Sequence, residues 1–109
     1  MTDFTAQINK KKNEISDVVH NDPYFMYLIN DGYIQDFIVD KNSYEISQQP
    51  EDKEYFLIFV TTIPIGDQRI NHVKDEAISI VNKYFTINNP VDIDTESDTY
   101  WISVPILYM

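Results

Sequence analysis

The stretch Glu54-Tyr55-Phe56-Leu57-Ile58-Phe59-Val60-Thr61-Thr62-Ile63-Pro64-Ile65 decides the fold. From Tyr55 to Val60 every residue is aromatic, β-branched or leucine, which suits a pleated, buried surface. Polar residues do not alternate with apolar ones here. The stretch therefore reads as a central strand, covered on both faces, or covered on one face and paired with a neighbour on the other. Pro64 and Gly66 end it.

Working toward the C-terminus, Asp67 to Phe85 reads as an amphipathic helix. Ile70, Val73, Ala77, Ile80, Val81 and Tyr84 repeat at three-and-four spacing, and Asp67 is placed to cap the first turn. Asn88-Asn89-Pro90 ends the helix, and Val91 to Thr99 reads as an acidic connection. Tyr100 to Met109 reads as a last strand. Pro105 lacks a backbone donor, which puts that strand at an edge or marks a bulge. The central strand, helix and last strand make a β–α–β unit. If the two strands are neighbours they run parallel, with a right-handed crossover.

Toward the N-terminus, residues 3 to 20 read as a helix whose apolar face carries Phe4, Ile8, Ile15, Val18 and Val19, with Thr2 or Asp3 as its cap. Pro23 to Ile29 is a dense apolar run that reads equally as a short helix or a strand. Asn30-Asp31-Gly32 is a turn. Tyr33 to Val39 and Tyr44 to Ser47 are weaker strands, and residues 48 to 53 form a polar loop. The expected architecture is a single α+β domain over residues 1–109. It has one mixed sheet, two main helices packed on one face, and the C-terminal strand inside the sheet.

Composition narrows the function. With 18 acidic and 8 basic residues the net charge is −10, and such a surface repels nucleic acid and anionic lipid. It suits a basic protein partner, or a surface that DNA passes without sticking. Arg69 is the only arginine, which argues against a phosphate clamp. The two glycines, Gly32 and Gly66, cannot make a phosphate-binding loop. The chain has no cysteine, so disulfides, thiolate metal sites and thiol nucleophiles are excluded, and the chain is read as intracellular. No apolar run reaches a membrane span, and the N-terminus does not resemble a signal peptide.

Motifs for catalysis are missing. His20 and His72 have no metalloprotease-type spacing to acids, and no serine sits in a nucleophile elbow. Asp92-Ile93-Asp94-Thr95-Glu96-Ser97-Asp98 resembles part of a calcium loop but lacks its glycine and its closing glutamate, so it reads as a solvated acidic turn. No cofactor, metal or catalytic residue is expected. The interface candidates are Tyr24, Tyr27, Tyr33 and Tyr44, since tyrosine pairs a rigid apolar body with a polar tip, together with Asp92, Asp94, Glu96 and Asp98. Capping of a small core explains the tyrosines equally well.

The order of elements, the long strand 55–60, the helix 67–85, the acidic stretch 92–98 and the ending Tyr100-Trp101-Ile102-Ser103-Val104-Pro105-Ile106-Leu107-Tyr108-Met109 resemble the tail terminator (tail-completion) proteins of phages with long non-contractile tails. The resemblance is best over residues 54–109. Pro105 and the tyrosine-rich region 23–47 depart from the pattern. The resemblance implies a virion structural protein in a homo-hexameric ring that stops tail-tube polymerisation and joins the head connector. Its partners would be itself, the tube protein and connector proteins, in the virion tail and, during assembly, the host cytoplasm. The rival reading is a small acidic inhibitor, either an immunity protein or a DNA mimic, acting on a basic nuclease or toxin.

Overall fold

The computed structural model describes residues 5–41, 54–88 and 90–108. The elements in chain order are α1 (Thr5–His20), α2 (Pro23–Asn30), β1 (Ile34–Lys41), β2 (Glu54–Pro64), α3 (Arg69–Tyr84), β3 (Thr86–Ile87), β4 (Asp92–Glu96) and β5 (Thr99–Leu107). The expected strand at 44–47, the loop at 48–53, the cap at Thr2 or Asp3, and Phe4 lie outside the described residues.

The ambiguous segment at Pro23 is a helix, for reasons present in its flanks. Asp22 has an extended backbone and caps α2, its Oδ1 accepting from Tyr24 N at 2.9 Å and Phe25 N at 3.0 Å. Pro23 fills the first turn, where its missing N–H costs nothing. At the other end Gly32 takes φ 82°. Gly32 N donates to Ile29 O and Tyr33 N to Leu28 O, the paired bonds of a glycine-terminated helix.

The class is α+β, as expected, with β5 inside the sheet. The strand directions differ from expectation. β2 lies between β1 and β5, β5 pairs on its other side with β3 and β4, and every pairing is antiparallel. The sheet is thus not mixed, and β2 and β5 are not the parallel arms of a crossover. The reason is β4. The supposed acidic connection pairs with β5 from Asp92↔Ser103 to Glu96↔Thr99, and this hairpin reverses the chain once more before β5. Its two-residue turn, Ser97-Asp98, puts Ser97 at φ 56°, as the turns that match strand twist require.

Pro105 is likewise in an interior strand, not at an edge or a bulge. In an antiparallel strand a residue's N and C=O point to the same side. The Pro105 carbonyl accepts from Asn88 N at 3.2 Å, so its nitrogen also points away from β2. That side is the interval between β3 and β4, where no ladder bond is lost.

All three helices pack on one face of the sheet. Phe37 and Val39, Tyr55, Leu57 and Phe59, and Ile102, Val104 and Ile106 lie in register. They share one buried cluster with Ile8, Ile15 and Val19 of α1, Phe25 and Leu28 of α2, and the α3 stripe Ile70, Val73, Ala77, Ile80 and Val81. Phe25, Phe37 and Phe59 meet ring to ring at 4.9 to 6.1 Å. Val18 and Tyr84, expected on the apolar faces, are exposed.

Candidate interaction surface

Side chains alternate across a strand, so the register that defines the core face also defines the opposite one. Ile38 lies beside Ile58, Asp40 beside Phe56, and Asp36 beside Val60. Across β2, Phe56 lies beside Pro105, Ile58 beside Ser103, Val60 beside Trp101, and Glu54 beside Leu107. Asp92 and Asp94 of β4 lie beside Ser103 and Trp101. The outer face therefore carries an apolar stripe along β2 and β5 with a carboxylate row on each side. Asp36 and Asp40 form the row on β1, and Asp92, Asp94 and Glu96 the row on β4.

Among the described residues no helix covers this face. Phe56, Ile58 and Trp101 are half-buried, Val60 and Pro105 are buried, and Ile38 and Leu107 are 37% and 44% exposed. An antiparallel sheet open to water on one face normally alternates apolar-in with polar-out. Here β2 and β5 carry apolar side chains on both faces, with polar exceptions such as Thr99 and Ser103, and among the described residues helices cover only one of them.

The two sheet edges are guarded by the same acids. Asp36 Oδ1 accepts from Phe37 N at 2.8 Å, and Asp40 Oδ1 from Lys41 N at 3.2 Å. Each carboxylate thus occupies an N–H of edge strand β1. Lys12 of α1 lies 3.9 Å from Asp40. The β4 edge bears Asp92, Asp94 and Glu96, all exposed. Charged side chains on edge strands oppose the addition of another strand.

The tyrosine candidates are elsewhere. Tyr24 and Tyr27 are exposed on α2 and stack at 5.6 Å. With Pro23 and Lys83 they line an open cleft of about 430 Å³. Lys83 is tied up there, donating to Asp22 Oδ2 at 2.7 Å. Hydrogen bonding and charge from the nearby Glu76 carboxylate raise the pKa of Tyr24, and those from Asp31 raise that of Tyr27. Tyr33 is half-buried against the core, a packing residue more than a surface one. Tyr44 lies outside the described residues. Asp98 is exposed in the β4–β5 turn, and its carbonyl accepts from Ile65 N at 3.1 Å. The seven described candidates therefore do not form one site. Tyr24, Tyr27 and Tyr33 belong to the helix layer and the β1 side, and the acids border the far side of the sheet.

Sequence reasoning missed the stripe itself, Ile38, Phe56, Ile58 and Trp101. The signal for it was the absence of alternation in β2 and β5. The acidic segment 92–98 did alternate, and that period of two is the strand β4 it forms.

The histidines do not assemble a reactive centre. His20 Nδ1 is 2.8 Å from Ser16 O and 3.0 Å from Ser16 Oγ. Both contacts lie within one helical turn of α1 and link His20 only to Ser16. His72 is exposed beside Glu76 at 3.4 Å. Among the described residues no group of three His, Cys, Asp or Glu is placed to hold a metal ion, and no helix is long and apolar enough to cross a membrane. No family model matches the sequence, and no curated protein or solved structure is significantly similar to it.

Proposed function

We propose that this chain is a binding protein of macromolecular assembly, not a catalyst, and that it binds through the outer face of its sheet. One observation carries this reading: β2 and β5 are apolar on a face that no described helix covers. Apolar strand positions with no described helix over them, partly open at Phe56, Ile58 and Trp101 and bordered by charge, fit an interaction site.

Within that class the tail-terminator ring remains the form we favour, on the order of elements from 54 to 109 and the C-terminal strand inside the sheet. A ring subunit needs two different patches that meet head to tail. The stacked Tyr24 and Tyr27 on the helix layer offer one such patch to a neighbouring subunit, and the sheet face is left to a partner of different sequence. The acid-guarded edges make strand-to-strand contact the poorer choice. The small acidic inhibitor is the second reading, favoured by the carboxylate rows that flank the stripe.

Light scattering on the wild type and on Tyr24→Asp with Tyr27→Asp, at low and high protein concentration and with the tube protein added, tests the ring. A hexamer that Tyr24→Asp with Tyr27→Asp reduces to monomer is the expected result. A wild type that stays monomeric with its tube partner present defeats the ring and leaves the inhibitor.

A further inference from the structure

We propose that the outer face receives a basic amphipathic helix from a partner protein, which completes a third layer over the sheet. This rests on the binding reading above and specifies its ligand.

The dimensions define the shape of the occupant. The carboxylate rows on β1 and β4 are three strand spacings apart, roughly 14 Å at about 4.8 Å per spacing. A helix with its side chains is about 10–12 Å across and fits between them. The stripe runs from Phe56 to Val60 on β2 and from Trp101 to Leu107 on β5. That is roughly 20 Å at about 3.3 Å per residue, the length of about 14 helical residues. An added strand is disfavoured, because the β1 edge N–H groups of Phe37 and Lys41 are already taken by Asp36 and Asp40.

Charge selects the chemistry. A helix lying along the stripe places its apolar side on Phe56, Ile58 and Trp101 and its flanks against Asp36 and Asp40 on one side and Asp92 and Asp94 on the other. Lys12, beside Asp40, leaves the β4 row as the stronger attractor. Lysine or arginine flanks satisfy both rows while their methylene stems extend the apolar contact. Acidic flanks set like charges against each other. A second copy of this chain does not fit the description. The core-facing sides of α1, α2 and α3 are spent on its own core, and the apolar side chains exposed on α2 are accompanied by Asp31 and Glu76, the wrong sign for the carboxylate rows.

Trp101 is the only tryptophan in the chain and sits on this face, so its emission reports occupancy directly. The probes are two synthetic helical peptides of about 18 residues, free of tryptophan, with the same leucine and phenylalanine face. One has lysine along both flanks, and the other has glutamate. The lysine peptide is expected to shift Trp101 emission to the blue and to bind at least about tenfold more tightly than the glutamate peptide. It should weaken by about tenfold or more between about 0.05 M and 0.5 M salt. Asp92→Lys with Asp94→Lys, both exposed positions, should reverse the preference while leaving the far-ultraviolet circular dichroism unchanged. Equal affinity for the two peptides, or no shift with either, overturns the helix proposal. A wild type that is already oligomeric, with Trp101 emission blue-shifted and loosened by Ile58→Asp, also overturns it, since a second copy then covers the face. That result would leave the assembly reading intact. A monomer that binds neither peptide and neither tube nor nuclease partner removes both.

Discussion

Asp22 joins three helices, and its replacement should cost more than any other single polar change in the described structure. It has no exposed surface and sits in the turn after α1. Oδ1 accepts from Tyr24 N and Phe25 N, which caps α2. Oδ2 accepts from Lys83 Nζ at 2.7 Å and Tyr84 Oη at 2.6 Å, which holds the last turn of α3. Loss of a cap costs about 1 kcal/mol. A hydrogen bond to a charged group contributes about 1.5–3 kcal/mol, and because the Lys83 side chain is half exposed, water replaces much of its share. Asp22→Ala should therefore destabilise the chain by about 3 kcal/mol, a fall of about 12 °C or more in melting temperature for a domain of this size.

The acid limb of the stability curve supplies the internal control. Burial pushes the Asp22 carboxyl upward, but the hydrogen bonds of Lys83, Tyr84 and Phe25 N, with the Lys83 charge, outweigh it and leave the pKa below its ordinary value. A carboxyl whose folded pKa is depressed contributes stability above its unfolded pKa of about 3.9, and loses it as pH falls through the folded value. Asp22→Asn keeps an acceptor for the two backbone N–H groups but not the charge. It should be less damaging than Asp22→Ala at neutral pH and should flatten the fall in stability below about pH 4. Urea denaturation of the three proteins from about pH 7 to pH 2 measures both. If Asp22→Ala costs under about 1 kcal/mol, or Asp22→Asn keeps the wild-type acid slope, the carboxylate does not join the helices as argued.

The two faces of β2 should respond oppositely to truncation. Leu57→Ala, in the core, is expected to cost about 2–5 kcal/mol, whereas Ile58→Ala one residue on should cost under about 1 kcal/mol in chemical denaturation. Similar losses at both positions would mean that the outer face is covered. Ser97→Gly should raise the melting temperature, by about 0.5–1 kcal/mol of stability, because glycine takes the positive φ of the β4–β5 turn without a Cβ penalty; a neutral or lower value counts against that turn. Asp36→Val with Asp40→Val frees two edge N–H groups and removes two charges from β1, so turbidity on incubation should rise over the wild type, and unchanged turbidity would show the edge is protected otherwise.

The sequence was most legible where one period dominated. The stripe from Ile70 to Val81 named α3, and residues 54–65 named β2, because in each case the buried side chains match the period of the element. Three features depended on partners that a linear reading does not show. The acids of β4 are unusual in a strand, and its pairing with β5 supplies the reason: they stand on the outer face, while Ile93 packs against the core cluster. Pro105 signals an edge only if the neighbouring strand is continuous, and here β3 and β4 leave an interval opposite it. The segment at Pro23 was undecided on periodicity alone, and the deciding residue was Asp22, outside the apolar run, whose cap makes the helix.

The outer stripe separates folding from function. Ile58, Trp101 and Ile38 add nothing to the contact between helices and sheet, so threonine or serine at those positions would serve the fold as well and expose less apolar surface. The carboxylates beside them point the same way. Asp36 and Asp40 close the strand edge that an aggregating neighbour would use, while Asp92 and Asp94 leave the face itself accessible and charged. A surface closed to strands at its edge, yet apolar and negatively bordered on its face, discriminates among partners by both shape and sign. The net charge of −10 then acts at long range to bring a cationic partner in, and the stripe acts at contact to hold it. This division predicts that raising the salt concentration slows association, whereas truncating Ile58 speeds dissociation; a stopped-flow experiment on Trp101 emission in which the two perturbations alter the same rate constant would contradict it.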